Sequence, residues 1–392
     1  MLRARRQAIL GTLSLALLSG CGVDDASRFS RAFSRDAGVE GTFVVASYNV
    51  ENFFDQVDDD RNESYGDYRI KANSKGQYSN WGQLQSVGSE KLSFTEIKAR
   101  GVRRIFEAIK EGGPEVVGLC EVESAEALDA LRDEVKELGY QATVFSGDLE
   151  DTMTGAIGQA LITKFPVMSK SLVVPAREDG EQALDFDLRP ILKVTVNAHG
   201  KPLTVYVNHW KSQSGPESLR VKSARALAAD IDRETSRNAR FDWVALGDFN
   251  SRSNENEIMT NDNDDTQGLT GINDVLKAGS DLQALYGTAP ARYNLSFEYP
   301  KSLRNTEWSP KFGWTDFDHL IIGNSAVDRV GVNLVTDSYV IPSPEMESLR
   351  FVYTAEGYAR RWAMRRENNK STKHFVGGFS DHMPVFATFM TR

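Results

Sequence analysis

The chain has 392 residues, with 46 Lys and Arg against 55 Asp and Glu and a formal net charge of −9. So acidic a balance excludes bulk electrostatic capture of a polyanion, which needs a basic footprint, but leaves room for local recognition by a few basic side chains. Two cysteines exclude a disulfide framework, and the roughly 350 residues beyond position 40 suffice to bury one large core or two.

The first stretch reads as an export signal. Arg3, Arg5 and Arg6 precede a short apolar run over 8–18, which is about half the roughly twenty residues that span a bilayer. The run ends in Leu18-Ser19-Gly20-Cys21. That tetrapeptide resembles a bacterial lipobox, which implies a signal peptide over 1–20 and a lipidated Cys21. The expected location is the bacterial cell envelope, anchored in the membrane and exposed to periplasm or exterior. Several acyl chains would hold firmly, since each buried methylene adds roughly 0.8 kcal/mol. Removing the three arginines takes the net charge to −12 and leaves Cys120 no partner for an intramolecular disulfide. Residues 21–40 are small and polar and read as a flexible tether.

From 41 to 392 no composition break or internal repeat appears, and one α/β domain is expected. Residues 42–48 form an apolar, β-branched run and a buried strand. A polar stretch over 55–91 follows, read as an insertion or lid. Thr95 is placed as the cap of a helix to about 110, with Ile97, Val102, Ile105, Phe106 and Ile109 on one face. Residues 115–120 form the next strand, and Ser124 starts a helix to about 138. Further strands are expected at 141–145, 159–164, 191–197 and 203–208, the last two joined by a turn at His199-Gly200. Pro216-Glu217 opens a helix to about 237, and 242–246 is a strand. The Asn- and Asp-rich residues 252–268 read as a solvated loop, and 320–322 and 383–389 as closing strands.

Polar clusters stand where these strands end. They are Asn49 and Glu51; Glu121 and Glu123; Asn208, His209 and Lys211; Asp248 and Asn250; Asp316, Asp318 and His319; and Asp381 and His382. One such cluster is ordinary turn chemistry. Six of them, holding three of the five histidines, point to one site, because a sheet sets its same-end loops side by side.

Ser-Tyr-Asn-Val-Glu-Asn, Leu-Cys-Glu-Val-Glu, Gly-Asp-Phe-Asn-Ser and Ser-Asp-His-Met-Pro-Val occur in this order between about 43 and 388. Together they resemble the endonuclease/exonuclease/phosphatase superfamily, the DNase I-like enzymes, and Asn-His-Trp-Lys-Ser resembles its secreted bacterial members. The resemblance implies an α/β fold of two packed mixed β-sheets flanked by helices, a four-layer α/β/β/α sandwich with its active site at one end. It implies a divalent-metal-dependent phosphodiester hydrolase, a nuclease before all, acting as a monomer on nucleic acid. The alternative is a phosphomonoesterase or phospholipase-type phosphatase acting on a small or lipid phosphate.

Phosphodiester hydrolysis needs an activated water, neutralised phosphoryl oxygens and a stabilised leaving oxygen. Hard oxygen ligands suit Mg²⁺, with Mn²⁺ or Ca²⁺ as substitutes. Glu121 is the principal expected metal ligand, with Asn49 or Glu51 assisting and Asp381 as a further ligand. By resemblance, Asp248 orients or deprotonates the attacking water and Asn250 holds a phosphate oxygen. Asp248 and Asn250 are two apart and would share a face in extended backbone. Asp318 is expected to pair with His382, which serves either as general base or as phosphate-binding cation. His209 is preferred for catalysis, with Asn208, Lys211 and Arg189 expected at the substrate. His319 is read as either a structural or a catalytic histidine, and Glu123 as structural or exposed. The run over 338–373, with Tyr353, Arg360, Arg361, Trp362, Arg365 and Arg366, is either a basic helix face packed on the body or an aromatic–arginine surface for bases. A binding protein on a dead scaffold would lack one of the key carboxylates or histidines, and none is missing.

Overall fold

The computed structural model describes residues 41–56, 81, 84–149, 157–176, 188–258, 265–366 and 373–392. The export signal, Cys21, the tether and most of the 55–91 insertion lie outside the described residues, as does 259–264 of the Asn/Asp loop.

Strands β1 (Thr42–Phe53), β2 (Val116–Val122), β3 (Ala142–Phe145) and β4 (Gly158–Thr163) build most of a first sheet. The chain then crosses to a second sheet with β5 (Val167–Val173), β6 (Ile191–Ala198), β7 (Lys201–His209), β8 (Trp243–Asp248), β9 (Ala278–Gly279), β10 (Arg292–Asn294) and β11 (Asp318–Gly323). It returns with β12 (Val332–Leu334) and β13 (Val385–Thr391). The strand orders are β12-β13-β1-β2-β4-β3 and β9-β10-β11-β8-β7-β6-β5. Both sheets are mixed: β1 runs parallel to β2 and β7 to β8, while β1–β13 and β8–β11 are antiparallel.

Alternation along each strand explains the layers. Val45, Cys120, Leu161, Val205, Val207, Leu246, Leu320 and Val385 point inward to a core shared by both sheets. Val44, Ala46, Tyr48, Val117 and Leu119 point the other way, under helices α1 (Phe94–Ile109) and α2 (Ala125–Val135). Tyr206, Trp243, Ala245 and Ile321 of the second sheet pack on Ala224, Leu227 and Ile231 of α3 (Glu217–Arg237). The expected sandwich of two mixed sheets between helical layers is therefore what forms.

Several boundaries differ from expectation. The cap of α1 is Ser93, not Thr95. Ser93 Oγ accepts from the Glu96 amide while Glu96 accepts from the Ser93 amide, so two orphan donors are satisfied reciprocally. Thr95 is buried and donates to the Phe54 carbonyl. Strand β5 was not anticipated, since it is a half-exposed edge strand without a clean apolar run. The closing strand starts at Val385 because the Met383 amide is taken by the Thr306 carbonyl and Pro384 has no N–H to give. Residues 338–362 form no helix face. A 3₁₀ turn over Glu347–Val352 leads to a two-stranded ribbon of Ala363–Arg366 and Lys373–Gly377.

The sheets approach closely at Gly118 of β2. A methyl group there would stand 2.2 Å from Leu246 Cδ1 and 3.1 Å from Val207 Cγ2. Gly118→Ala is therefore expected to cost on the order of 1–3 kcal/mol by overpacking, read as a lower urea midpoint at unchanged slope. An unchanged midpoint would show that the sheets do not meet there.

Candidate active site

Strands β1 and β2 lie side by side in parallel, and both bulge at their C-terminal ends. The register slips between Asn49 and Phe53 in β1 and between Cys120 and Val122 in β2. Glu51 (φ 51°), Asn52 (φ 57°) and Glu121 (φ 66°) take left-handed backbone. Each such residue costs of order 1–3 kcal/mol and persists only where its surroundings over-determine it. Here the Glu51 amide donates to Asn49 Oδ1 (3.0 Å) and the Asn52 amide to Glu121 Oε2 (2.9 Å). The bulges turn Glu121 inward beside Asn49.

Asn49 is fully buried and marks the centre. Its Nδ2 lies 3.3 Å from Glu121 Oε1, 3.1 Å from Asp248 Oδ2 and 3.4 Å from His382 Nε2. Its Oδ1 is occupied by the Glu51 amide, so it presents a donor to the centre. The metal-ligand role expected for Asn49 would use Oδ1, which here accepts from the Glu51 amide while Nδ2 faces the centre.

Strand β8 ends at Asp248 in a turn. The Asn250 amide donates to Asp248 Oδ1 (2.8 Å), which leaves Oδ2 for the centre. Asn250 reaches the site through left-handed backbone (φ 48°), not through strand alternation as expected. Its Nδ2 donates to the Trp210 carbonyl, as does Arg189 Nη1 at 3.0 Å. Arg189 is thus brought to the site, where its charge acts on Glu121 and His209. His209 Nε2 stands 3.7 Å from both Glu121 Oε1 and Asp248 Oδ2. Asn208 alternates to the other face. Its Oδ1 accepts from Trp210 Nε1 and its Nδ2 donates to the Tyr206 and Leu246 carbonyls. The substrate role expected of Asn208 therefore falls away, because its side chain is saturated inside the sheet. Lys211 lays its stem along Gly215 at the start of α3.

Asp318 opens β11 fully buried, and its Oδ2 lies 2.7 Å from His382 Nδ1. The His382 amide donates to Ser380 Oγ, which donates to the Asn49 carbonyl, so ring and centre are tied through the backbone. Burial alone would lower the His382 imidazolium, but the charge and hydrogen bond of Asp318, with Asp248 and Asp381, hold it well above its ordinary range. Burial, with Arg189 and His382 nearby, pushes His209 well below. One imidazole is thus charged and the other neutral. His319 bonds Ser296 Oγ and the Ser251 carbonyl and is pushed down to about 4 by burial, a structural histidine. Glu123 is buried and accepts from the Asp55 amide.

The carboxylates crowd one another. Burial and the charge of Asp381 raise Glu121. Burial, with Asp318 and Glu307 adding against the pull of His382, raises Asp248 to about 8. A divalent cation relieves such crowding, and Glu121 with Asp381 supplies the hard oxygen donors Mg²⁺ takes. Sequence reasoning missed Glu307. Its carboxylate, Asp381 and His382 offer ligand atoms within 4.8 Å of one another, and Thr315 Oγ1 donates to it at 2.6 Å. It comes from a hairpin of Glu307–Ser309 and Gly313–Thr315 with no local signal of function.

Glu51, expected to assist the metal, is engaged by donors at both carboxylate oxygens. Its Oε1 accepts from Arg361 Nε (2.9 Å) and Nη2 (2.7 Å), and its Oε2 accepts from the Trp362 amide. Arg361 Nη2 also lies 2.8 Å from Asp381 Oδ2. The arginine–aromatic run thus reaches the site through Arg361. Tyr353 is buried with its hydroxyl on the Pro342 carbonyl.

Asp318→Asn removes the charge that holds His382 protonated. Titration of the His382 ring by NMR is expected to move downward from well above the ordinary range, since burial is then opposed by Asp248 and Asp381 alone. An unmoved titration would show that Asp318 does not govern the ring.

A family model described as "Endonuclease/Exonuclease/phosphatase family" matches residues 44–391. No curated protein matches the chain. Among solved structures, SmcL is 16% identical with a TM-score of 0.51, covering 89% of this chain and 99% of that chain. ANGEL2, titled a 2′,3′-cyclic phosphatase, is also 16% identical with a TM-score of 0.51, covering 89% of this chain and 95% of that one. Sphingomyelinase C from Streptomyces griseocarneus is 16% identical with a TM-score of 0.49, covering 88% and 99%. At such identity the likeness to these structures is one of fold.

Proposed function

Because the chain belongs to the endonuclease/exonuclease/phosphatase family, we propose that it is a divalent-metal-dependent phosphodiester hydrolase, a nuclease anchored at a bacterial cell envelope through Cys21. The observation that carries the reading is the convergence of Glu121, Asp248, His209 and the Asp318–His382 pair on Asn49. The anchor rests on Leu18-Ser19-Gly20-Cys21 behind a basic, then apolar, leader.

A phosphoryl group seated in this pocket meets three donors of different kinds. Asn49 Nδ2 offers a neutral hydrogen bond. His382, held protonated by Asp318, offers charge at Nε2. His209 stays neutral, and its Nε2 faces two carboxylate oxygens, which favours the tautomer with the proton there. Preorganised donors aimed at developing charge cost no reorganisation when the reaction occurs. Asp248 Oδ2, which the Asn250 amide leaves facing the centre, accepts the proton of the attacking water. Arg189 and Asn250, both anchored on the Trp210 carbonyl, form the wall beside His209. A divalent ion held by Glu121 and Asp381 would supply Lewis-acid neutralisation of the phosphoryl oxygens; Mg²⁺ fits the donor set, with Mn²⁺ or Ca²⁺ as substitutes.

The Asn208-to-Ser212 motif supports nucleic acid as substrate, while the acidic charge balance supports a small or lipid phosphate. The deciding experiment follows the full chain with Mg²⁺, Mn²⁺ or EDTA on plasmid DNA, bis-p-nitrophenyl phosphate and p-nitrophenyl phosphate. EDTA-sensitive cutting of DNA and the diester is expected. Turnover of the monoester alone would replace the nuclease by the phosphatase. In the same assay His382→Ala is expected to lower kcat by about 10²–10⁴-fold, and a loss under about fivefold would move the role elsewhere.

A further inference from the structure

The Arg361 guanidinium stands between two acids. Its Nε and Nη2 both bond Glu51 Oε1, and Nη2 also reaches Asp381 Oδ2 at 2.8 Å. Glu51 is 4% exposed at its side chain and Arg361 35%, so the pair spans from core to pocket. Arg361 is not an arm that happens to rest there. The Trp362 amide bonds the second Glu51 oxygen at 3.0 Å. The Trp362 ring stacks on Trp81 at 5.6 Å and meets Phe375 at 4.4 Å. Buried Lys98 sits 4.7 Å over that ring and donates to the carbonyls of Glu51 (3.1 Å) and Phe379 (2.8 Å). The chain leading to Asp381 crosses this segment at Gly378, where a methyl group would stand 1.6 Å from the Arg361 carbonyl and the φ is 98°. The Phe379 amide then bonds the Arg360 carbonyl at 2.7 Å. Arg361 is thereby fixed from the bulge of β1, from α1 and from the strand of chain that carries Asp381 and His382.

We infer that Arg361 is a built-in counter-cation: it occupies the side of the centre where Glu51 and Asp381 face each other, so that Glu51 is a strut and not a ligand and the chain takes a single divalent ion on the Glu121 side. A guanidinium keeps its charge at every working pH and grips carboxylates in a fixed geometry. Both Glu51 oxygens are occupied by donors, and a dication placed among them would meet a permanent positive charge. Arg361 is on this view a positioning residue, which aims Asp381 beside His382 without touching substrate. The inference rests on the metal-dependent reading above.

The test is calorimetric titration of Mn²⁺ into the metal-free full chain, with thermal unfolding used to confirm that each variant is folded. Wild type is expected to bind one ion per chain. Glu51→Gln is expected to leave that count and the affinity within about threefold, whereas Glu121→Gln weakens it by about tenfold or more. Arg361→Gln, which uncovers Glu51 and Asp381, is expected to bind two ions, and Arg361→Lys to return the count to one. A loss in Glu51→Gln as large as in Glu121→Gln would overturn the inference, as would a count still at one in Arg361→Gln. Wild-type chain that binds no ion would instead remove the metal-dependent reading and the inference with it.

Discussion

Buried like charge is the constraint on which this structure turns. Glu121, Asp248 and Glu51 end close to Asp318 and Asp381, and desolvation and the neighbouring negative charges oppose the ionisation of these first three. The fold answers with cations and donors of different reach. His382 is charged by Asp318, Arg361 covers Glu51 and Asp381, and Asn49 gives one amide nitrogen to the cluster. Burial raises Glu51 to about 7, with Asp381 adding and Lys98 and Arg361 opposing. Glu121 and Asp248 remain raised despite the pull of His382, and theirs is the side proposed for substrate, with the ion between Glu121 and Asp381.

The backbone carries a matching load. Three left-handed non-glycine residues in paired bulges, and a further one at Asn250, aim the side chains that meet at Asn49. Proteins violate local rules at functional sites and compensate elsewhere. Here the compensation is the apolar inter-sheet core and the helical layers outside it. Gly247 shows how tightly the frame is drawn. A methyl group there would stand 2.0 Å from the Asn208 carbonyl oxygen, immediately before Asp248.

Much of this was legible in the sequence, for physical reasons. Apolar β-branched runs flanked by acids, amides and histidines mark buried strands whose ends meet, and the two-sheet sandwich was implied by the family resemblance of those motifs. Alternation separates Asn208 from His209, but it does not say which face looks into the pocket; Trp210 decides by engaging Asn208. The Asp248–Asn250 spacing suggested a shared face in a straight strand, while the Asx turn that closes β8 delivers both by another route. Ser93 and Glu96 carried the capping-box signal, and Thr95 stood close enough to obscure it. Glu307 and Arg361 were hidden for a different reason. Arg361 lies 310 residues from the Glu51 it covers, and nothing local marks a side chain whose role is set by a distant charge.

Ionisable groups in this pocket hold protons they would release if exposed. Asp248 is raised to about 8, Glu51 to about 7, and His382 well above its ordinary range. Asp242, distant from the pocket, is raised to about 7 by burial and contributes equally with or without an ion. Between pH 6.5 and 8 the folded chain therefore binds more protons than the unfolded one, and stability must fall as pH rises. His209 and His319, both lowered, act with the opposite sign mainly below pH 6.5, and Lys98, lowered to about 8, does so mainly above pH 8. The most direct measurement is the urea unfolding midpoint across pH 6.5–8, in EDTA and in saturating Mg²⁺. A midpoint that falls with pH in EDTA, and falls less in Mg²⁺, is what the account predicts. A midpoint that is flat or rising in EDTA, with a Mg²⁺ gain independent of pH, would contradict it.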